Sequence, residues 1–122
     1  PPGPDRLAVQ TPDSPFKPVP SVLRSDSTFL ITHGVFGSGT LERLTHRLQH
    51  DPALRIRLEA CQFEVSPTAL LLNYALASNA GGVVLTSMFS PDHIRANCAR
   101  AAQTIDLRVL AALSTLSETV DQ

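Results

Sequence analysis

Apolar residues recur along this chain with two periods, and the period switches at regular points. Arg6 to Gln10 is a brief extended apolar run ending on a polar residue, and Thr28-Phe-Leu-Ile-Thr32 is a second strand-like run. Between them Pro12, Pro15, Pro18 and Pro20 forbid regular structure. After the glycine-rich stretch His33-Gly-Val-Phe-Gly-Ser-Gly39 the spacing becomes helical, with Leu41, Leu44 and Leu48 on one face. Pro52 opens a further helix through Leu58, and Ser66-Pro67 is a cap-plus-proline start for a helix carrying Leu70, Tyr74 and Ala77. Asn79-Ala-Gly-Gly82 ends it, and Val83-Val-Leu85 reads as a third, buried strand. A helix from Pro91 to about Gln103 buries Ile94, Cys98 and Ala101. Asp106 then caps a last helix with Val109, Leu113 and Leu116 on one stripe.

Strands that alternate with helices imply parallel pairing. Three of them joined by right-handed crossovers fit either an open doubly wound sheet or an arc of a (β/α)₈ barrel, and both place functional loops at strand carboxyl ends. The segment from Val83 to Asn97 outlines an anion site: a short strand, a loop, then Ser90 as N-cap and Pro91 in the first turn. Free N–H groups near Asp92 and His93 would face a phosphate beyond the strand end.

Composition narrows the function classes. A length of 122 residues and 43% hydrophobic content fit one small domain with a real core. Net charge is −1, and the nine arginines and Lys17 are spread along the chain, which leaves no nucleic-acid footprint. No apolar run is long enough to cross a bilayer. Cys61 and Cys98 lack regular spacing and read as reduced, buried residues of a cytoplasmic protein. His46 and His50 share a helix face at metal-ligand spacing but lack a third ligand nearby, so they read as surface residues and no metal is expected. The order Gly34-x-x-Gly37-x-Gly39 is not a dinucleotide fingerprint, and no P-loop is present. The start Pro-Pro-Gly-Pro, without initiator Met or targeting segment, suggests a piece or processed product of something longer.

Two stretches, Ser66-Pro-Thr-Ala-Leu-Leu-Leu-Asn-Tyr-Ala-Leu-Ala and Gly82-Val-Val-Leu-Thr-Ser-Met-Phe-Ser-Pro-Asp-His-Ile-Arg-Ala-Asn97, resemble the seventh helix, eighth strand and eighth helix of the aldo/keto reductases. Phe29-Leu-Ile-Thr-His-Gly-Val-Phe-Gly37 is similar to the seventh strand and its loop, Leu7-Ala-Val-Gln-Thr-Pro12 to the sixth strand, and Asp106-Leu-Arg-Val-Leu-Ala-Ala-Leu113 to the closing segment. The resemblance spans about Leu7 to Leu116. It implies the C-terminal portion of a (β/α)₈ TIM barrel, incomplete as given: a single partial domain over 1–122, with a short strand and proline-rich loop (1–27), strand, glycine-rich loop and helices (28–65), helix, strand, phosphate-site loop and helix (66–105), and a C-terminal helix (106–122).

The same resemblance implies roles residue by residue. Gln10 would contact the nicotinamide carboxamide, His33 would stack on the nicotinamide ring, and Gly34, Phe36 and Ser38 would border the pyrophosphate. Ser87, Met88, Phe89, His93 and Asn97 would hold the adenosine 2′-phosphate and adenine. The family's catalytic Asp, Tyr, Lys and His lie on earlier strands, so no catalytic residue is expected in this chain. The implied parent is an NAD(P)H-dependent reductase of a small aldehyde or ketone, using NADP or NAD, with no nucleic-acid or membrane partner. A half-barrel would associate with itself or with the missing N-terminal part.

Each residue also has a plainer role. Gln10 can cap loop backbone, His33 can bond a loop carbonyl, and the glycines can simply permit turns. His93 and Asn97 can form a solvated pair, Phe89 can pack over a rim, and Met88 can fill core. The chain can accordingly be a non-catalytic nucleotide-binding or subunit-interaction fragment of such a protein. A hydrolase using His33-Gly34 and Ser38 ranks last, because the Gly-x-Ser-x-Gly elbow is missing.

Overall fold

The computed structural model describes residues 6–37, 39–61, 66–86 and 106–118. Three strands, β1 (Leu7–Pro12), β2 (Thr28–His33) and β3 (Val83–Val84), form one parallel sheet in the order β1-β2-β3. Four helices accompany them among the described residues: α1 (Thr40–His50), α2 (Pro52–Ala60), α3 (Pro67–Ser78) and α4 (Leu107–Ser114). The chain is therefore α/β with parallel pairing, as the alternation of periods requires.

One face of the sheet is closed and the other is open. Register pairs Thr11 with Thr32 and Thr32 with Val84, so these side chains share a face. Thr11, Leu30 and Thr32 are buried there, and Val84 packs on a core built mainly of leucines: Leu44 and Leu48 of α1, Leu54 and Leu58 of α2, Leu70 and Leu71 of α3, Leu113 of α4. Burial of each such side chain contributes roughly 1.5–3 kcal/mol. The opposite face carries Ala8 and Gln10, exposed, and Phe29, Ile31 and His33, half-buried. Val83 and Leu85 point the same way and are 42% and 46% exposed. The third strand is thus shorter than its apolar run and is not buried, because it is a sheet edge whose alternate residues face the open side.

Local signals explain the helix ends. Asp51 caps α2 by accepting from the Leu54 N–H at 3.1 Å, and Pro52 fills the first turn. Asp106 caps α4 through the Arg108 N–H at 2.9 Å, and hydrogen bonding from the Arg108 side chain holds its carboxyl below the ordinary carboxylate range. Ser66 precedes Pro67 as expected but makes no side-chain cap. Buried Asn73 joins α3 to α4 by a two-way bond, donating to the Asp106 carbonyl and accepting its N–H, each at 3.0 Å. Arg108 reaches the Cys61 carbonyl at 2.8 Å and so ties α4 to the end of α2.

The second polar clamp is Asn79, just past α3. Its buried amide lies 3.0 Å from the Leu30 carbonyl, 3.3 Å from the Thr32 hydroxyl and 3.2 Å from the Val83 carbonyl. Gly82 passes so close that a Cβ there would collide with the Leu30 carbonyl and the Asn79 amide. The connection between β1 and β2 has no helix. It holds one bridge, Ser14 with Lys17, and a single 3₁₀ turn, Ser21–Leu23, in keeping with its prolines.

Asn79→Ala is expected to lower unfolding free energy by about 1–3 kcal/mol, since buried carbonyls lose their donor. Urea denaturation with an unchanged slope is the check. Gly82→Ala should destabilise as well, because backbone and not a flexible side chain occupies the space.

Candidate functional site

Parallel strands direct their carboxyl ends toward a common edge, and here β1, β2 and β3 end at Pro12, His33 and Val84. Gln10 pairs with Ile31, and Pro12 with His33, so Gln10 and His33 are diagonal neighbours on the open face. Gln10 is exposed and His33 half-buried. A carboxamide, which both donates and accepts, thus stands beside a planar imidazole at one end of an uncovered surface. Around them the face offers Phe29, Ile31, Val83 and Leu85, without a charged side chain on the three strands.

The loop after β2 is held by its own backbone. Gly34 takes φ +80, the Gly37 N–H donates to the Gly34 carbonyl at 3.0 Å, and the Thr40 N–H donates to the Gly37 carbonyl at 3.0 Å. Gly39, at φ +74, stands at the N-cap position of α1 in place of a capping side chain. Val35 is buried in the core, and Phe36 packs against the same cluster. Phe36 therefore spends at least part of its ring on core packing, whereas Gly34 sits beside His33 at the strand end. The His33 carbonyl accepts from the Asp13 N–H at 3.0 Å, which pins the start of the β1–β2 connection against the end of β2.

Ser38, Ser87, Met88, Phe89, His93 and Asn97 lie outside the described residues, as do the helix expected from Pro91 and Cys98. Of the sequence-derived set, Gln10, His33 and Gly34 come together at one strand end. Cys61 is buried, and its thiol donates to the Arg57 carbonyl at 3.3 Å. His46 and His50 are exposed, with rings stacked at 4.2 Å.

Sequence reasoning missed a polar cluster on the helical side of the sheet. Asp13 is 2% exposed, and neither carboxylate oxygen has a hydrogen-bond partner. Burial raises its pKa, opposed by the Ser78 hydroxyl, the Arg24 charge, the Val19 N–H and the Tyr74 hydroxyl. Those groups are near enough to bias the carboxyl without being aligned to bond it. Burial also pushes the Tyr74 phenol up, with the Asp13 charge adding to the effect. In the sequence Asp13 follows a proline inside a polar loop, which looks solvated, and no local pattern marks it otherwise. At the amino-terminal ends of the strands a polar crevice of about 270 Å³ is lined by Arg6, Arg24, Ser25, Thr28 and Asn79. Both arginines are engaged there, Arg6 with the Thr28 carbonyl at 3.1 Å and Arg24 with Ser78. No helix among the described residues is long and apolar enough to cross a membrane.

Gly34→Ala isolates backbone strain, because a Cβ there meets nothing within 4 Å. It should cost about 1–2 kcal/mol in denaturant unfolding, from positive φ alone. Compared with known proteins, the chain matches no family model, no curated protein and no solved structure.

Proposed function

We propose that this chain supplies the cofactor-binding, C-terminal portion of an NAD(P)H-dependent oxidoreductase of the aldo/keto reductase type, built on a (β/α)₈ barrel. The observation that carries the reading is the shared position of Gln10 and His33 on the open face, at the carboxyl ends of neighbouring parallel strands. Brought together there are an amide suited to a carboxamide and a ring suited to a flat heterocycle. The sheet order adds support. Strands in the order β1-β2-β3, with the leucine-rich core on one face, follow the progression of a barrel arc, in which the uncovered face turns inward. Each half of a doubly wound sheet has the same sequential order, but such a sheet is clad on both faces.

When bound, a nicotinamide dinucleotide supplies the hydride. The chain's own residues bind and orient: Gln10 fixes the carboxamide, His33 offers a stacking surface, and the Gly34 turn leaves backbone open beside them. Ser38, Ser87, Met88, Phe89, His93 and Asn97 enter this proposal from the sequence, in which Ser90-Pro91 reads as a helix start suited to phosphate. The cofactor in this reading is NADP, with NAD also possible. The carbonyl substrate and the proton donor belong to the implied N-terminal part of the parent, a soluble cytoplasmic enzyme in this reading. A second reading, a non-catalytic nucleotide-binding or subunit-interaction piece, draws on the exposed Val83 and Leu85, which favour association with another chain or copy.

Titration of the 122-residue protein with NADPH, followed by nicotinamide fluorescence, tests the proposal. Gln10→Ala and His33→Ala should each weaken binding about tenfold, equivalent to about 1.4 kcal/mol. Absence of binding by the unaltered chain, or equal affinity in both variants, would remove the cofactor role. The chain alone should show no carbonyl reduction, and turnover by it would overturn the division of labour.

A further inference from the structure

The connection from Asp13 to Arg24 packs against α3 and the core, with Pro15 buried, Phe16 against the core cluster and the Arg43 guanidinium over the Phe16 ring. The Tyr74 hydroxyl donates to the Ser14 carbonyl at 3.2 Å, Val19 is buried, and Arg24 donates to the Ser78 carbonyl at 2.8 Å and the Ser78 hydroxyl at 2.7 Å. Asp13 is enclosed beneath these contacts with both oxygens unpartnered. Its surroundings disfavour charge twice over. Water is excluded, and the carboxyl lies near Ser78 in the last turn of α3, the negative end of the helix dipole. Arg24, the cation that bears on it among the described residues, is turned outward onto that helix end. The charged and titratable groups that bear on Asp13 among the described residues are Arg24 from the connection and Tyr74 from α3. β2 meets it through backbone, at the His33 carbonyl.

We propose that Asp13 is a proton-operated latch: with its carboxyl neutral the 13–24 connection stays docked on α3, and loss of the proton expels the carboxylate and frees the connection. A charged carboxylate needs either water or Arg24. Arg24 lines a cavity of about 280 Å³ together with Val19, Tyr74 and Ser78 among others. When Arg24 leaves Ser78 to follow the charge, the Tyr74 to Ser14 bond, the buried Pro15 and Val19 and the core packing of Phe16 are the anchors that remain. Release also loosens the Asp13 N–H from the His33 carbonyl, so the state of the latch reaches the end of β2. The inference rests on this packing and stands apart from any cofactor on the open face. The sign is fixed by burial: Asp13 favours the folded, docked state at low pH, and that contribution is lost as pH rises through its raised pKa.

The chain provides its own reporter, since it has one tyrosine and no tryptophan. Titration of the 122-residue protein from about pH 4 to 9, followed by tyrosine emission and by hydrogen exchange corrected for intrinsic rates, reads the latch. The expected result is a single emission change centred above the ordinary aspartate range. Exchange in residues 14–24 should rise about tenfold across it, with α1 and α2 unaffected. Asp13→Asn should abolish both changes and raise the melting temperature at neutral pH by about 5 °C. Arg24→Gln should move the midpoint to higher pH, because it removes the cation that favours the charged form. A flat titration, the same transition in Asp13→Asn, or loss of protection throughout the protein would overturn the latch. Should Asp13→Asn fail to fold, a midpoint unmoved or lowered in Arg24→Gln overturns it equally.

Discussion

The amide of Asn79 holds the sheet to its helices. One side chain reaches the Leu30 carbonyl and Thr32 hydroxyl of the central strand and the Val83 carbonyl of the edge strand, from a position directly after α3. Inside a low-dielectric core such bonds cannot be traded for water, so their loss leaves acceptors stranded. The leucine core supplies most of the driving force, but it is non-directional and would tolerate sliding of α3 over the strands. The clamp fixes where α3 ends and therefore where β3 begins. Asn73 does the same for α4 through the Asp106 backbone.

This fixed frame gives the open face its character. Its strand ends are set by pairing over six residues of β1 and β2, and Gln10 and His33 inherit their relation from that register. A one-residue slip of β1 against β2 would turn Gln10 toward the leucines and part it from His33. The proposed binding role accordingly depends on pairing more than on either side chain's own contacts.

Much of this frame was legible in the residues. The change from period two to helical spacing at Leu41, the Pro52 and Asp106 starts, and the proline-rich stretch after Pro12 are local signals, and each appears where the residues indicate. The third strand departs from its pattern. Val83, Val84 and Leu85 look like a buried run, but edge position and an uncovered face leave two of them exposed, and no local feature encodes coverage by distant elements. At the candidate site, strand ends and glycine turns were readable, whereas the core packing of Phe36 is a tertiary fact. Asp13 is the sharpest case. Its burial arises because Tyr74 and Ser78, some sixty residues away in sequence, close over it.

The prolines of the β1–β2 connection have a thermodynamic consequence. Pro15, Pro18 and Pro20 restrict the unfolded chain before any contact forms, so ordering this segment costs less conformational entropy than a flexible loop of equal length. A segment almost without helix or strand can then hold its place through the buried Pro15 and Val19 and the core packing of Phe16.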